Sequence, residues 1–271
     1  MKFSIITPCL NSEKYISQAI ESVISQEGNF EIEYIIVDGG SSDSTISIVK
    51  GFINILDKKK YAIKCNNVKV VFISEKDTGL YDALSKGFNS VTGDIIAYIN
   101  SDDYYLPNAF ENIMPLFIQG NRWVTGLPVA MNEDGVCIKY PLPLKFNSNL
   151  IRKGFYGTFL PFIQQESVFF SKEQLSKIDF GNLKKFKLAG DFYLWQSFAK
   201  RSKLKIVNKY LAVFRRHGNQ LSNNLNAYRA ELMTIAERRN VFDYALAIAY
   251  KILWRMGKNI SCENNVLGSN H

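Results

Sequence analysis

Residues 73–105 read ISEKDTGLYDALSKGFNSVTGDIIAYINSDDYY, and the order of elements in this stretch decides the fold. A strand end carries Glu75 and Asp77, Gly79 opens a helix, and Thr92-Gly93-Asp94 forms a turn. Ile95, Ile96, Ala97, Tyr98 and Ile99 then make an apolar strand that runs into Asn100, Ser101, Asp102 and Asp103. Hard oxygen ligands at the carboxyl end of a buried strand stand where open α/β sheets bind ligands, so a cation and phosphate site at the mouth of a parallel sheet is expected.

Upstream, residues 3–7 (FSIIT) form an apolar run of the kind buried on both faces of a sheet, which Pro8 is expected to stop. Asn11 or Ser12 is the expected cap of a helix in which Tyr15, Ile16, Ala19, Ile20, Val23 and Ile24 recur at helical spacing. Residues 34–37 (YIIV) are a second strand ending on Asp38. GGSSDST leads from it into a helix capped by Asp43 or Ser44 and carrying Ile46, Ile48, Val49, Phe52, Ile53 and Leu56. Residues 68–73 are the third strand. Strands alternating with helices at this spacing predict βαβ units and a parallel sheet with right-handed crossovers.

Downstream the alternation fades. Residues 106–119 read as a short helix opened by Pro107, and 123–131 with 136–140 flank NEDG as a hairpin. Helical periodicity returns at 188–199, LKIVNKYLAVFRR has strand character, and 227–256 read as one or two helices. In those helices Leu232, Ile235, Ala236, Val241, Tyr244, Ala245, Ile248, Ile252 and Leu253 lie on an apolar side, and Arg229, Arg238, Arg239, Lys251 and Arg255 lie elsewhere. The tail from 258 to 271 is polar.

A hydrophobic fraction of 46% and a charged fraction of 21% over 271 residues suit an ordinary globular protein with a sizeable core, not a disordered chain. The net charge of +8 points to an anionic partner: nucleic acid, a phosphorylated small molecule or an acidic membrane surface. Cys9, Cys65, Cys137 and Cys262 are scattered without a CxxC pair, which indicates neither a zinc knuckle nor a disulfide framework and fits a reducing cytoplasm. The first apolar run is too short for a secretory signal, and no run approaches the length of a membrane span.

Asp38, the Glu75/Asp77 pair and Asp102/Asp103 each follow a predicted parallel strand, so they can converge on one crevice; each alone reads equally well as a turn or helix cap. The Gly39-Gly40-Ser41-Ser42 loop lacks the lysine and spacing of a Walker loop, and no G-x-G-x-x-G follows the first strand. Phosphate binding, if present, is then metal-assisted, and the few carboxylates of Asn-Ser-Asp-Asp suit Mg²⁺ or Mn²⁺.

TPCLN after the first strand, VDGGSSDST after the second, SEKDTGLYDALSKG after the third and TGDIIAYINSDD at the fourth resemble the nucleotide-sugar-binding half of the family 2 inverting glycosyltransferases. The resemblance covers residues 1–106 strongly and can be followed to about 219. It implies an α/β fold of the GT-A nucleotide-diphospho-sugar transferase type, with a mostly parallel central sheet flanked by helices. Residues 1–221 would form the transferase domain (1–106 the nucleotide-sugar-binding half, 107–221 the acceptor half), and 222–271 a C-terminal helical extension. By the same resemblance Thr7, Pro8, Asn11, Asp38 and Asp77 hold the nucleoside, with Asn100 and Ser101 beside them, and Asp102, supported by Asp103, binds the Mg²⁺ or Mn²⁺ that bridges the diphosphate. Asn100 stands at the first acidic position of the family's Asp-x-Asp motif. Asp191 in LAGDFYLW falls where such enzymes carry the base, and it also reads as a helix cap. Glu166 and Gln165 match the acceptor side, although a structural hydrogen bond explains Glu166 equally well. Arg215, Arg216 and His217 match a segment that reaches back to the diphosphate or metal.

The implied enzyme is a metal-dependent hexosyltransferase that moves sugar from a nucleotide-diphospho-sugar, UDP-linked by family habit, to a glycan or lipid-linked acceptor in bacterial surface polysaccharide synthesis. It would be cytoplasmic or peripheral at the inner face of the membrane. The apolar side of the C-terminal helices can pack on the core or on a second copy in a homodimer, or the basic residues can bring the enzyme to an anionic bilayer. Two other readings compete. A sugar nucleotidyltransferase needs a basic phosphate-cradling loop, and the first loop offers only Lys14. A nucleic-acid-binding module needs cations interleaved with aromatics, which this chain lacks.

Overall fold

In the computed structural model, residues 1–256 are described except Lys139, Pro141 and Asn219 and the side chains of Arg255 and Met256; the expected polar tail and Cys262 lie outside them. Period-2 alternation sets two layers. On strand β1 (Lys2–Cys9), Phe3 and Ile5 face one core and Ile6 the other. After helix α1 (Ile16–Ile24), strand β2 (Gly28–Asp38) splits in the same way, with Ile32, Tyr34 and Ile36 on the first side and Ile35 and Val37 on the second. Helix α2 (Thr45–Asp57), strand β3 (Cys65–Ser74), helix α3 (Leu80–Ser90) and strand β4 (Ile95–Tyr98) complete the βαβ series.

Next come β5 (Tyr104–Tyr105), α4 (Ala109–Ile118), β6 (Trp123–Leu127), β7 (Ala130–Asn132), β8 (Cys137–Ile138) and α5 (Ser148–Arg152). They are followed by β9 (Val168–Ser171), the one-turn helices α6 (Lys172–Leu175) and α7 (Phe180–Leu183), α8 (Gly190–Ala199), β10 (Lys205–Tyr210), β11 (Ala212–Arg216), α9 (Leu225–Ile235) and α10 (Val241–Met256). The main sheet has the order β10-β6-β9-β4-β1-β2-β3, and a small sheet has the order β5-β11-β7-β8. β3, β2, β1 and β4 are parallel, β9 lies antiparallel between β4 and β6, and β10 runs parallel to β6. The strand order reverses between β1 and β4, the switch point at which such sheets open a ligand crevice.

The Phe3, Phe30, Phe110 and Phe169 rings fill the first core, with Phe3 and Phe110 stacked at 4.7 Å. Trp123, Phe170, Trp195 and Phe198 fill the second, between the sheet and α8. Each buried side chain of this size contributes about 1.5–3 kcal/mol, so both layers hold the strand ends firmly.

Three local expectations are corrected. Pro8 does not stop the first strand: it pairs with Val37, and the ladder runs on to Cys9 beside Asp38, because its missing N–H faces the β4 side, beyond the last β1–β4 pair at Ile6 and Tyr98. The stretch LKIVNKYLAVFRR is two strands in different sheets, turning at Leu211. Among the cysteines, Cys9 and Cys65 are free, but Cys137 is disulfide-bonded, a pairing the spacing did not announce.

The C-terminal helices also differ from the sequence reading. Asp243 binds Lys153 Nζ at 2.5 Å and Asn149 Nδ2 at 2.8 Å, which rolls α10 so that Asp243, Ala247 and Trp254 face inward. Val241, Phe242, Ile248, Ile252 and Leu253, expected to be the packed side apart from Phe242, are therefore outward, while Tyr244 is partly exposed and packs edge-on against Phe155. Arg239 stacks on Phe155 and donates to the Lys153 and Gly154 carbonyls, and Lys251 sits 4.3 Å from the Phe159 ring centre; Arg238 is exposed. No helix among the described residues is long and apolar enough to cross a membrane.

Candidate active site

At the carboxyl ends of β1, β2 and β3 the loops lock together through short polar links. Asp38 is fully buried and accepts from Gly40 N–H at 3.2 Å, from Ser41 N–H and Oγ–H, and from Ser74 Oγ–H at 2.8 Å. Its carboxylate thus folds the GGSS loop. Asn11 takes the left-handed conformation (φ 49°) and accepts Ser42 N–H at 2.9 Å; Ser12 is joined to Ser101 through their hydroxyls at 2.7 Å. Neither Asn11 nor Ser12 caps α1, whose cap position is held by Tyr15. Thr7 is buried and accepts from Tyr34 Oη–H at 2.9 Å. Asp77 folds over Gly39: a Cβ at that glycine would lie 2.6 Å from Asp77 Oδ2, so the acidic loop after β3 can close on β2 only because residue 39 has no side chain. Burial and the charges of Asp38, Asp43 and Asp77 push the Cys9 thiol up, which marks one acidic crevice shared by the three strand ends.

The pairing of β5 with β11 brings the Asn-Ser-Asp-Asp turn to the Arg215–His217 segment. Tyr104 aligns with Val213, and Asp103 Oδ1 accepts Arg215 N–H at 2.9 Å across 112 positions of sequence. His217 Nε2 then lies 2.9 Å from Asp102 Oδ2, 115 positions away. Arg215 is a buttress: its Nε donates to Asp102 O at 2.8 Å, its Nη2 to Gln18, and its guanidinium lies between the Tyr15 and Tyr104 rings. Gln220 clamps this turn by accepting His217 N–H at 3.0 Å and donating to Arg215 O. Arg216 is exposed. Asp103 is buried, and burial followed by the charges of Asp102 and Glu166 holds its carboxyl well above the usual range.

Below this turn a short 3₁₀ turn, residues 165–167, carries Gln165 and Glu166. Gln165 donates to Tyr98 O and accepts from Asn100 Nδ2 at 3.4 Å, bracing Asn100. Asn100 Oδ1 and Glu166 Oε1 are buried acceptors without a partner among the described residues. Burial pushes Glu166 up to about 8, with the charge of Asp102 adding to the effect, so at neutral pH it holds its proton.

Asp191 lies in the first turn of α8, half-buried in a narrow recess that Tyr156, Phe162, Trp195 and Tyr228 also line. Tyr228 Oη–H donates to its carboxylate at 3.1 and 3.3 Å, and Phe192 N–H donates to Oδ1 at 2.7 Å. Burial still prevails over these donors and pushes the carboxyl up to about 6, a value that suits a base working near neutrality. Gly190 is required here, since a Cβ would lie 2.4 Å from the Tyr81 ring. The buried Tyr98 phenol at the end of β4 is raised by burial and by Tyr81, Asp191, Tyr228 and Glu166, so the charges of both second-half acids are felt at the end of that strand.

Asp38, Asp77, Asn11 and Ser101 gather at the crevice, and Asp102 meets His217. Thr7 is in the core, Asp103 faces the backbone of β11, and Arg215 is engaged in packing. Sequence reading missed Tyr15, taken as part of an apolar helix face, which carries Arg215 at 4.5 Å and His217 at 5.3 Å between ring centres. It also missed Gln220, Tyr228 and Glu231. For Tyr228 and Glu231 the one available signal was their i, i+3 spacing on a helix.

The glycosyl transferase family 2 model matches residues 4–174. The minor teichoic acid biosynthesis protein GgaA of Bacillus subtilis is 34% identical over 119 residues, 42% of this chain, and the chain spans 24% of that relative's length. Among solved structures, Staphylococcus aureus TarS 1–349 in complex with UDP-GlcNAc superposes with a TM-score of 0.62 at 15% identity, over 93% of this chain and 72% of that one. The mannosyltransferase PcManGT of Pyrobaculum calidifontis, in complex with GDP-Man and Mn²⁺, gives 0.55 at 14% identity over 94% and 70%. At such identities the likeness is one of fold, GT-A type, with the expected mostly parallel sheet. With the family match covering more than half its length, the chain belongs to glycosyl transferase family 2.

Proposed function

We propose that this chain transfers a sugar, with inversion, from a nucleoside-diphospho-sugar to an acceptor hydroxyl, with Asp191 as the base. The observation that carries the reading is the meeting of Asp102 and His217 at 2.9 Å, beside the crevice formed by the Asp38 and Asp77 loops. The nucleoside lies in that crevice, against Asn11, Asp38, Asp77 and the Pro8 strand end. Asn100 Oδ1, buried and unpaired, is placed to accept a hydroxyl of the donor.

Asp102 and His217 fit a divalent cation, Mg²⁺ or Mn²⁺: one is a carboxylate and the other an imidazole, and neither is fully buried. Bound there, the ion would neutralise the charge developing on the departing diphosphate. Exposed Arg216 adds positive charge at the same rim. The Asp191 carboxylate takes the proton of the acceptor hydroxyl as its oxygen bonds to the anomeric carbon, while the bond from that carbon to the diphosphate oxygen breaks. Protonated Glu166 and Gln165 hold the floor of the site between Asp102 and Tyr98.

The likeness to TarS, solved in complex with UDP-GlcNAc, supports a UDP-linked donor, and the match to GgaA supports a surface polymer as product. A lipid-linked acceptor agrees with the outward apolar residues of α10 beside Arg238 and with the net charge of +8, which together suit an anionic membrane surface. Co-sedimentation with anionic vesicles that fails in Phe242→Ser would support this contact, and binding unchanged in that variant would remove it. The enzymatic reading is tested by thermal shift with UDP-, GDP- and TDP-sugars, with and without Mn²⁺. A Mn²⁺-dependent rise with one nucleotide sugar is expected, and no rise with any of them would overturn the reading.

A further inference from the structure

Tyr228 and Glu231 stand one turn apart on α9, and both face the start of α8. The Glu231 carboxylate accepts three consecutive main-chain donors: Lys187 N–H at 2.7 Å, Leu188 N–H at 2.7 Å and Ala189 N–H at 2.6 Å. These N–H groups precede helix α8, where no intrahelical acceptor exists for them, so the carboxylate supplies what the helix cannot. Tyr228 donates to the two oxygens of Asp191 at 3.1 and 3.3 Å. From the opposite side, Tyr81 of α3 accepts Asp191 N–H at 3.1 Å and donates to Leu188 O at 2.9 Å. Helix α9 is itself fixed: Leu232 is fully buried with Ala189 and Phe192, and Tyr228 packs edge-on to Phe162.

We propose that Tyr228 and Glu231 are positioning residues for the transfer step, with α9 holding both the backbone that presents Asp191 and the orientation of its carboxylate. The helical extension, which the sequence reading set apart from the transferase domain, is then part of the acceptor half. The proposal rests on the reading of Asp191 as the base. An Asp at a helix start has several rotamers open to it, and a base must meet the acceptor proton within hydrogen-bond reach, so the Tyr228 hydroxyl and the Phe192 N–H together hold the carboxylate in one orientation within the recess.

The groups facing Asp191 are Tyr81 from α3, Tyr98 from β4, and Tyr228 and Glu231 from α9. Tyr228 favours the charged carboxylate through its hydrogen bond, whereas the charge of Glu231 opposes it. The two isosteric variants therefore move the Asp191 titration in opposite directions, which loss of packing alone would not do. Carbon-13 carboxyl NMR, with Asp191 assigned by the signal missing in Asp191→Asn, reads this on the full chain, and amide hydrogen exchange reads residues 187–189. Tyr228→Phe is expected to raise the Asp191 midpoint by about one unit. Glu231→Gln is expected to lower it and to speed exchange at 187–189 at least about tenfold, with β1 amides unchanged and Glu231→Asp restoring part of the protection. An unmoved midpoint in Tyr228→Phe, or amides at 187–189 as protected in Glu231→Gln as in the wild type, overturns the proposal. Neither readout needs a sugar donor, so they fail independently of the base assignment, whose own test is loss of transfer in Asp191→Asn.

Discussion

The crevice at the ends of β1, β2 and β3 and the Asp102–His217 turn lie side by side but are assembled differently. In the crevice the decisive links join neighbouring loops: Asn11 to Ser42 across 31 positions, Ser12 to Thr45 across 33, and Glu13 to Asp43 across 30. At the turn they span 112 and 115 positions, and the Asp191 backbone meets Tyr81 across 110. Adjacent parallel strands bring the first set together as soon as the sheet forms. The second set depends on a two-residue strand, β5, finding β11, and on α9 closing over α8. On the proposed reading the nucleoside is held by a local assembly, whereas the diphosphate end of the donor and the base depend on a non-local one.

The most severe test of that division is Asp191→Asn. Removing a general base typically lowers rate by about 10²–10⁴, so transfer measured with a responsive nucleotide sugar should fall by that factor while the donor dissociation constant stays put. Weakened donor binding would mean that the two regions are one. In wild type, transfer should rise with pH through about 6, because the base must lose its proton.

Next in size, His217→Ala should weaken Mn²⁺-dependent nucleotide binding by roughly tenfold or more, read by calorimetry at fixed nucleotide, with little effect on folding. Retained metal dependence would separate His217 from the donor side.

Gly39→Ala probes the local assembly alone. The new methyl would meet Asp77 Oδ2 at 2.6 Å and push the loop outward, which should lower stability by about 1–3 kcal/mol and weaken donor binding a few-fold, without altering the pH at which transfer rises. A changed pH dependence would tie the crevice to the base.

The test at Glu166 concerns stability alone, not donor binding or transfer. Its folded-state value of about 8 lies above the usual 4.5, so between those limits the folded state keeps a proton that the unfolded chain loses. Wild-type stability should then fall as pH rises through that window, and Glu166→Gln, which cannot ionise, should lack this component. Melting curves from pH 5 to 8 should show the variant gaining on the wild type; parallel curves would place Glu166 in a more polar setting.

The same contrast explains what the sequence made legible. β1 to β4 could be read because each is an apolar run followed by a motif that its own strand end presents. The placing of Asp38, Asp77 and Asp102 at strand ends could be read for that reason. Their differences could not be read: Asp38 takes donors from its own loop and folds it, whereas Asp103 takes the N–H of Arg215 on β11, 112 positions away, because buried carboxylates turn to whichever donors the fold brings nearest. Arg215 was recognised by its place in FRRHG, yet its guanidinium is held by Tyr15, Tyr104 and Gln18, none of which has a pattern in sequence. On α10 the periodicity named the wrong face, because one ion pair, Asp243 with Lys153, fixes the roll of the helix.

The most direct measurement is calorimetric titration of Mn²⁺ and the nucleotide sugar giving the largest thermal shift into wild type, Asp102→Asn and Asp191→Asn. Affinity lower by at least about tenfold in Asp102→Asn and within about twofold of wild type in Asp191→Asn is the expected result. Equal affinity in Asp102→Asn, or a loss confined to Asp191→Asn, would contradict the assignment of donor binding to the strand ends and of chemistry to α8.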